Sequence, residues 1–106
     1  MKRLAMVAVL LPFFALAQTA TTEVLVLTTA TALPIGQYRR AVEIQNLGPN
    51  PIFCALGDSS LAVLNKARRI AAGDAWALDA PSSQRIWCIT SANQVTGAAT
   101  IVSEVR

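Results

Sequence analysis

The two cysteines are the residues with the most definite chemical possibilities. Cys54 and Cys88 are the only thiols in a chain of 106 residues, and both lie in apolar segments that indicate strands. An even number of cysteines in an exported chain favours one disulfide, and adjacent strands would bring the two Cα atoms within about 7 Å. The alternative is a pair of reduced, buried cysteines. A nucleophilic role would need a base, and the sequence has no histidine.

The acidic residues do not form a recognisable catalytic or metal-binding motif. The lack of histidine removes His-based triads and most zinc sites. Asp58 and Asp74 occupy turns, where Asp commonly bonds its own backbone, and a calcium loop at Asp58 would lack its further ligands. The six acids are scattered along the chain: Glu23, Glu43, Asp58, Asp74, Asp79 and Glu104. We therefore expect a non-enzymatic protein without catalytic residues, cofactor or metal.

Basic and aromatic side chains suggest contacts with other proteins. The basic clusters Arg39–Arg40 and Lys66–Arg69 contain no interleaved aromatic residues, which argues against a nucleic-acid groove. Trp76 and Trp87 could stack on a sugar, but tryptophan in a small β domain more often lies in the core or anchors an interface. The candidate interface residues are Trp87, Ile89, Arg68 and Arg69.

The first seventeen residues have the layout of a secretory signal peptide. Lys2 and Arg3 precede the apolar run 4–17, which ends in the small-x-small pattern Ala15–Ala17. The run is shorter than the about 20 residues that span a bilayer. The alternative is an uncleaved hydrophobic arm that packs against a partner. Cleavage would leave residues 18–106 with a formal charge of +1 instead of +3, which gives no case for nucleic acid or an anionic membrane as partner.

The clearest structural pattern lies in residues 41–56. Val42 and Ile44 alternate with polar neighbours, which indicates a half-buried strand. The Gly48-containing segment 46–51 then turns the chain, and the apolar segment 52–56 follows. We expect these two strands to pair as a hairpin, with Gly48 at positive φ or in a tight turn.

Further strands are indicated by apolar segments between turn residues. We expect them at 23–29, 75–79, 85–91 and 98–105, with loops, an exposed edge or at most one helical turn in 61–72. Many short strands with frequent turns indicate an all-β fold, a small antiparallel β-sandwich or jelly-roll-like barrel. We assign 1–17 to the leader or arm, 18–39 to a linker and first strand, and 40–106 to the β-sandwich domain.

The order of motifs from Arg40 to Arg106 resembles a family of phage proteins. "Arg-x-Val-x-Ile-Gln-Asn-x-Gly-Pro-Asn-Pro-Ile", then "Ile-Ala-Ala-Gly-Asp", then "Arg-Ile-Trp-Cys-Ile" is similar to small β-sandwich virion structural proteins of tailed bacteriophages, of the capsid decoration or head-fibre type. The resemblance implies a non-enzymatic subunit on the virion surface, often trimeric, with the major capsid protein as partner. Because phage capsid proteins need no export, residues 1–17 would then be an arm. The alternative is a secreted or periplasmic β-sandwich binding module, with glycan as a candidate ligand.

The residue pattern of the strand at 85–91 predicts association with a second copy or with another protein. Ile86 and Cys88 alternate with Trp87 and Ile89, so both faces of the strand are apolar. One sandwich core covers only one face of each sheet. We therefore expect a second copy or another protein to cover the remaining face, and the resemblance suggests a trimer.

Overall fold

The computed structural model describes residues 19–34, 36 and 39–105, which form eight β-strands. One turn of 3₁₀ helix, Ser59–Leu61, lies between the fourth and fifth strands. The strands are β1 (Thr19–Val24), β2 (Thr31–Ala32), β3 (Ala41–Asn46), β4 (Ile52–Leu56), β5 (Arg68–Ile70), β6 (Ala75–Asp79), β7 (Ile86–Thr90) and β8 (Thr100–Val105). The leader or arm assigned to 1–17 lies outside the described residues. In the part of the chain that the structure describes, no helix has the length and apolar character needed to cross a membrane.

The strands form two antiparallel sheets whose order is that of a jelly roll. Sheet A has the order β1-β8-β3-β6, and sheet B has the order β2-β7-β4-β5. Strand β1 pairs with β8, β2 with β7, β3 with β6 and β4 with β5. This nesting is produced when one long hairpin of four strands against four is rolled into a sandwich. The predicted all-β antiparallel sandwich or jelly roll is confirmed.

The core lies between the inner faces of the two sheets. Strand alternation sends every second side chain inward, so β7 contributes Ile86, Cys88 and Thr90 while Trp87 and Ile89 point outward. This is the division predicted from the sequence, and β7 lies between β2 and β4 in sheet B. The buried cluster consists of Val26, Leu33, Val42, Ile44, Ile52, Cys54, Ile70, Ala80, Ile86, Cys88 and Val102. Trp76 and Leu78 pack against it from β6.

The expected hairpin of residues 41–56 is wrong in its pairing. Strands β3 and β4 form where the alternation indicated them, but β3 pairs with β6 and β8 in sheet A. Strand β4 pairs with β5 and β7 in sheet B. The segment 47–51 therefore crosses from one sheet to the other. Among the described residues, the glycines at positive φ are Gly57, Gly73 and Gly97, so Gly48 does not have the positive φ that was one of the two conformations expected for it.

The first strand lies earlier than the apolar run 23–29 suggested. β1 ends at Val24, and the following residues leave sheet A and cross the end of the sandwich. There the carbonyls of Val26 and Leu27 accept hydrogen bonds from the amides of Gln94 and Thr90 at 3.0 Å each. Val26 is therefore fully buried although it lies in the connection between β1 and β2 and not in a strand. Because β1 and β2 are strands of the two sheets, the sandwich includes residues that the sequence placed in a linker and first strand.

The region 61–72 contains little regular structure, as expected. The 3₁₀ turn ends at its first residue, Leu61, and the three-residue strand β5 forms an edge of sheet B. Two of the three residues of β5 are arginines, which discourage further strand addition at an exposed edge.

The connections divide between the two ends of the sandwich. Those after β1, β3, β5 and β7 meet at one end, called here the Asn46 end. Those after β2, β4 and β6 meet at the other end, called the Arg39 end. Each end is named for a buried polar residue that binds the connections there.

Replacing Gly48 should destabilise the fold through crowding. A Cβ at this position would lie 2.8 Å from Gln94 Nε2 and 3.1 Å from the Ala98 carbonyl oxygen. We expect Gly48→Val to lower the free energy of unfolding by about 1–3 kcal/mol, the usual cost of overpacking. Urea denaturation measures this, with Ala92→Val at an exposed position of the same end as the control. Equal stability of the two variants would contradict the crowding.

Candidate functional site

Cys54 and Cys88 form a disulfide in the middle of sheet B. They are direct cross-strand partners on β4 and β7, with their Cα atoms 4.1 Å apart. The predicted adjacency and disulfide are both confirmed. The two residues are 1% and 0% exposed, so the bond lies within the core and joins the two central strands of its sheet.

A buried ion pair that the sequence analysis missed closes the Arg39 end. Arg39 Nη1 lies 3.5 Å from Glu104 Oε2, and the side chains are 0% and 4% exposed. A guanidinium has five N–H donors, and every one has an acceptor here. Besides the carboxylate, the acceptors are the carbonyl oxygens of Pro34, Ala80, Pro81 and Gln84. Arg39 belongs to one of the basic clusters that were expected to contact other proteins, and its burial corrects that interpretation.

The pair joins separate parts of the chain. Glu104 belongs to β8, and its Oε2 also accepts a hydrogen bond from the Gly36 amide at 2.8 Å. The carbonyl acceptors come from the connections after β2 and β6. One signal in the sequence could have found the site. Thr100, Val102 and Glu104 alternate inward along β8, and a carboxylate on the core side of a strand requires a buried partner.

A neutral polar network closes the Asn46 end. Asn46 Nδ2 donates to the carbonyl oxygens of Asn50 and Ile70 at 2.8 and 3.0 Å. Its Oδ1 accepts from the Gly48 amide and from Gln94 Nε2. Gln94 Oε1 accepts in turn from Thr100 Oγ1 at 2.9 Å and from the Val26 amide at 3.0 Å. In the described part of the chain, every buried side-chain nitrogen and oxygen has a partner.

The remaining acidic residues do not converge on one another. Within the described residues, no group of His, Cys, Asp or Glu side chains is placed to hold a metal ion. Asp58 caps the 3₁₀ turn, where its Oδ1 accepts from the Ser60 amide at 3.0 Å. That backbone hydrogen bond holds the pKa of Asp58 below its usual value. This agrees with the interpretation of Asp58 as a turn residue.

The outer face of sheet B, called here the B face, holds most of the candidate interface. Trp87 and Ile89 point outward and are half-buried. Ile89 is opposite Phe53, which is opposite the exposed Arg69 on β5. Arg68 is separated from these residues, because its guanidinium lies 5.2 Å from the centre of the Trp76 ring at the edge between the sheets. The structure thus groups Trp87, Ile89 and Arg69 and assigns Arg68 to a cation–π contact.

The chain covers part of the B face itself. The 3₁₀ turn contacts β4 and β7, and Trp87 Nε1 donates to the Gly57 carbonyl at 3.2 Å. Phe53 is only 5% exposed although it points away from the core cluster. Leu61 and Val63 of this covering segment are themselves 56% and 41% exposed. The apolar surface is therefore smaller than the sequence suggested, and it extends onto the connection 57–67.

The B face combines an indole, aliphatic side chains and a guanidinium. Tryptophan and arginine are enriched among the residues that dominate protein–protein binding, and aromatic side chains are enriched in interface cores.

Neither a protein-family model nor a curated protein or solved structure matches the chain.

Removing the disulfide should weaken the fold. The bridge spans a sequence separation of 34 residues, and the chain-entropy model gives roughly 3–4 kcal/mol for a loop of that length. We expect Cys54→Ala/Cys88→Ala to lose about that much in urea denaturation. The oxidised wild type should take up no thiol label when unfolded without reductant. Two labelled cysteines would contradict the bridge.

Breaking the buried ion pair from one side should be costly. Arg39→Met leaves Glu104 with only the Gly36 amide, so we expect a loss of about 3–5 kcal/mol in the free energy of unfolding. Arg39→Met/Glu104→Leu should recover part of this because no unpaired charge remains. Urea denaturation provides the measurement, with the exposed Lys66→Met as control. A change no larger than that of the control would show that the pair does not stabilise the sandwich.

Proposed function

We propose that this chain is a non-enzymatic structural subunit that attaches to a larger protein shell, of the kind that decorates or cements the capsid of a tailed bacteriophage. It works by binding other protein surfaces, either further copies of itself or the major capsid protein. The proposal places it on the virion surface. Residues 1–17 then remain as an arm.

The fold is compatible with this role. Jelly rolls of eight strands occur in viral capsid and lectin domains, although a fold alone does not determine a function. The segment that resembles phage virion proteins, from Arg40 onward, contains strands β3 to β8. A disulfide is also compatible, since disulfides persist on virion surfaces as well as in secreted proteins.

The observation that carries the proposal is the outward, half-buried position of Trp87 and Ile89 beside the exposed Arg69. Strand β7 is central in its sheet, so these side chains stand in the middle of a face and not at its rim. Large apolar groups at the centre of a face, with a cation nearby, have the arrangement of an interface core and its polar rim.

A second candidate is a secreted or periplasmic binding module, favoured by the disulfide and the leader-like residues 1–17. Its ligand would be a glycan stacked on a tryptophan. Arg68 lies over the Trp76 ring, which leaves Trp87 as the better platform. Such a module would act as a monomer and bind soluble oligosaccharide.

Substitution of the two tryptophans should separate assembly from folding. Trp87→Asp should weaken association roughly 30-fold, or about 2 kcal/mol, because it places a charge at the centre of the B face. Trp76→Asp should instead lower the free energy of unfolding by about 3 kcal/mol, since Trp76 packs against the core. Light scattering and urea denaturation measure the two effects.

Val95→Asp, at a 62% exposed position of the Asn46 end, is the matched control and should change neither property. Immunogold labelling of purified phage particles tests attachment directly. A folded monomer that neither labels particles nor loses a binding activity on Trp87→Asp would overturn the proposed function. Trp87-dependent binding of oligosaccharide by that monomer would favour the second candidate.

A further inference from the structure

The two sheets carry charges of opposite sign. Among the described residues, the strands of sheet A contain acids but no Lys or Arg, and the strands of sheet B contain arginines but no Asp or Glu. On the outer face of sheet A, called here the A face, the acids are Glu23, Glu43 and Asp79, and the exposed Arg40 lies at the border of this face, directly before β3. All three acids are exposed. Each acid is the cross-strand partner of an outward residue, Ile101, Ala77 and Ala41 respectively.

The B face and its borders are basic. Arg69 lies on the face, and the exposed Lys66 and Arg85 lie in the connections that flank it. Arg85 is placed beside the start of the covering segment because its carbonyl accepts from the Gly57 amide at 2.8 Å. The acid on this side is Asp58, which caps the 3₁₀ turn. Trp87, Ile89 and Leu61 supply apolar surface between these charges.

The A face also contains a recess. A depression of about 310 Å³ is lined by Ala41, Val42, Glu43, Ala77, Leu78, Asp79 and Val105. Every one of these residues belongs to sheet A and none to sheet B, so the depression opens on the outside of the sandwich. Small side chains form much of its lining, and the carboxylates of Glu43 and Asp79 border it. Leu61 and Val63 beside the B face are exposed apolar side chains that such a recess can receive.

We propose that the A face of one copy of this chain docks on the B face of a second copy. The inference rests on the proposed function as a structural subunit and names the partner of its B face. Charge complementarity selects this arrangement. Two A faces would oppose carboxylates to carboxylates, and two B faces would oppose cations to cations. A two-fold dimer through either face is therefore disfavoured relative to the heterologous contact.

The geometry sets the form of the assembly. The A face and the B face lie on opposite sides of one sandwich, so successive contacts continue as an open stack. A closed ring would require the A face and the B face of each copy to be inclined to each other. In sheet A, four strands about 4.8 Å apart and roughly six residues long give a face of roughly 400 Å², half of the about 800 Å² per partner in a stable complex. The strands of sheet B have two to five residues and give a smaller face. The contact is weak in dilute solution and is reinforced where a shell concentrates the copies.

Charge reversal tests the contact with the full-length chain. Glu43→Lys/Asp79→Lys reverses the A face, and Lys66→Glu/Arg69→Glu reverses the B face. Each double variant should weaken self-association about tenfold or more in sedimentation velocity at low salt. The four-residue variant that combines both reversals should restore it, because its faces are again complementary. Asp74→Lys, in the connection after β5, is the control and should leave association unchanged.

The outcomes separate this inference from the proposed function. Loss in both double variants and recovery in the combined variant support the heterologous contact. Sensitivity to only one reversal overturns it in favour of a two-fold dimer, and a monomer at every concentration also overturns it. In those cases, Trp87-dependent labelling of phage particles would leave the proposed function standing, while its absence would remove both.

Discussion

The jelly roll depends most on the burial of Arg39. Moving an ion out of water costs several kcal/mol even after relaxation, and that cost is offset only when partners surround the charge. Here the five N–H groups reach acceptors on three parts of the chain, and Glu104 supplies the opposite charge. Because Glu104 belongs to the strand between β1 and β3, a shift of β8 by one residue would leave both charges without this arrangement. The pair therefore opposes incorrect registers as well as closing one end.

At the Asn46 end, neutral hydrogen bonds hold the strands and connections together in place of an ion pair. Asn46 and Gln94 make neutral hydrogen bonds that connect β3, β8 and the connections beside them. Between the two ends, the Cys54–Cys88 bond joins the central strands of sheet B. A small domain has limited apolar area to bury, so these three constraints supplement its core. Each acts between strands far apart in the sequence, which explains why a chain with short strands forms a single sandwich.

The sequence predicted local features well and long-range pairing poorly. Alternation located β3 and β7 and their inward residues because side-chain direction repeats every two residues, and apolar segments between turn residues located β4, β6 and β8. The turn at 46–51 was equally visible, but proline and glycine mark only a change of direction. They do not show whether the chain returns within its sheet or crosses to the other one, so the hairpin was wrong. The first strand was misplaced because Val26 is as apolar as a strand residue while it serves a connection. The disulfide was predictable, whereas four of the five Arg39 acceptors are backbone carbonyls, which no residue type reveals.

The same limit applies to the candidate surface. A formal charge near zero for residues 18–106 gives no case for nucleic acid as partner, but it does not show how the charges are arranged. Only the strand order shows that Glu23, Glu43 and Asp79 share one face while Arg69 lies on the other. Since the buried polar side-chain groups of the described residues are satisfied internally, the contact proposed above uses these outward side chains. When one face of a sandwich is acidic and the opposite face is basic, contacts between unlike faces of two copies are favoured over contacts between like faces, even when the total charge is small.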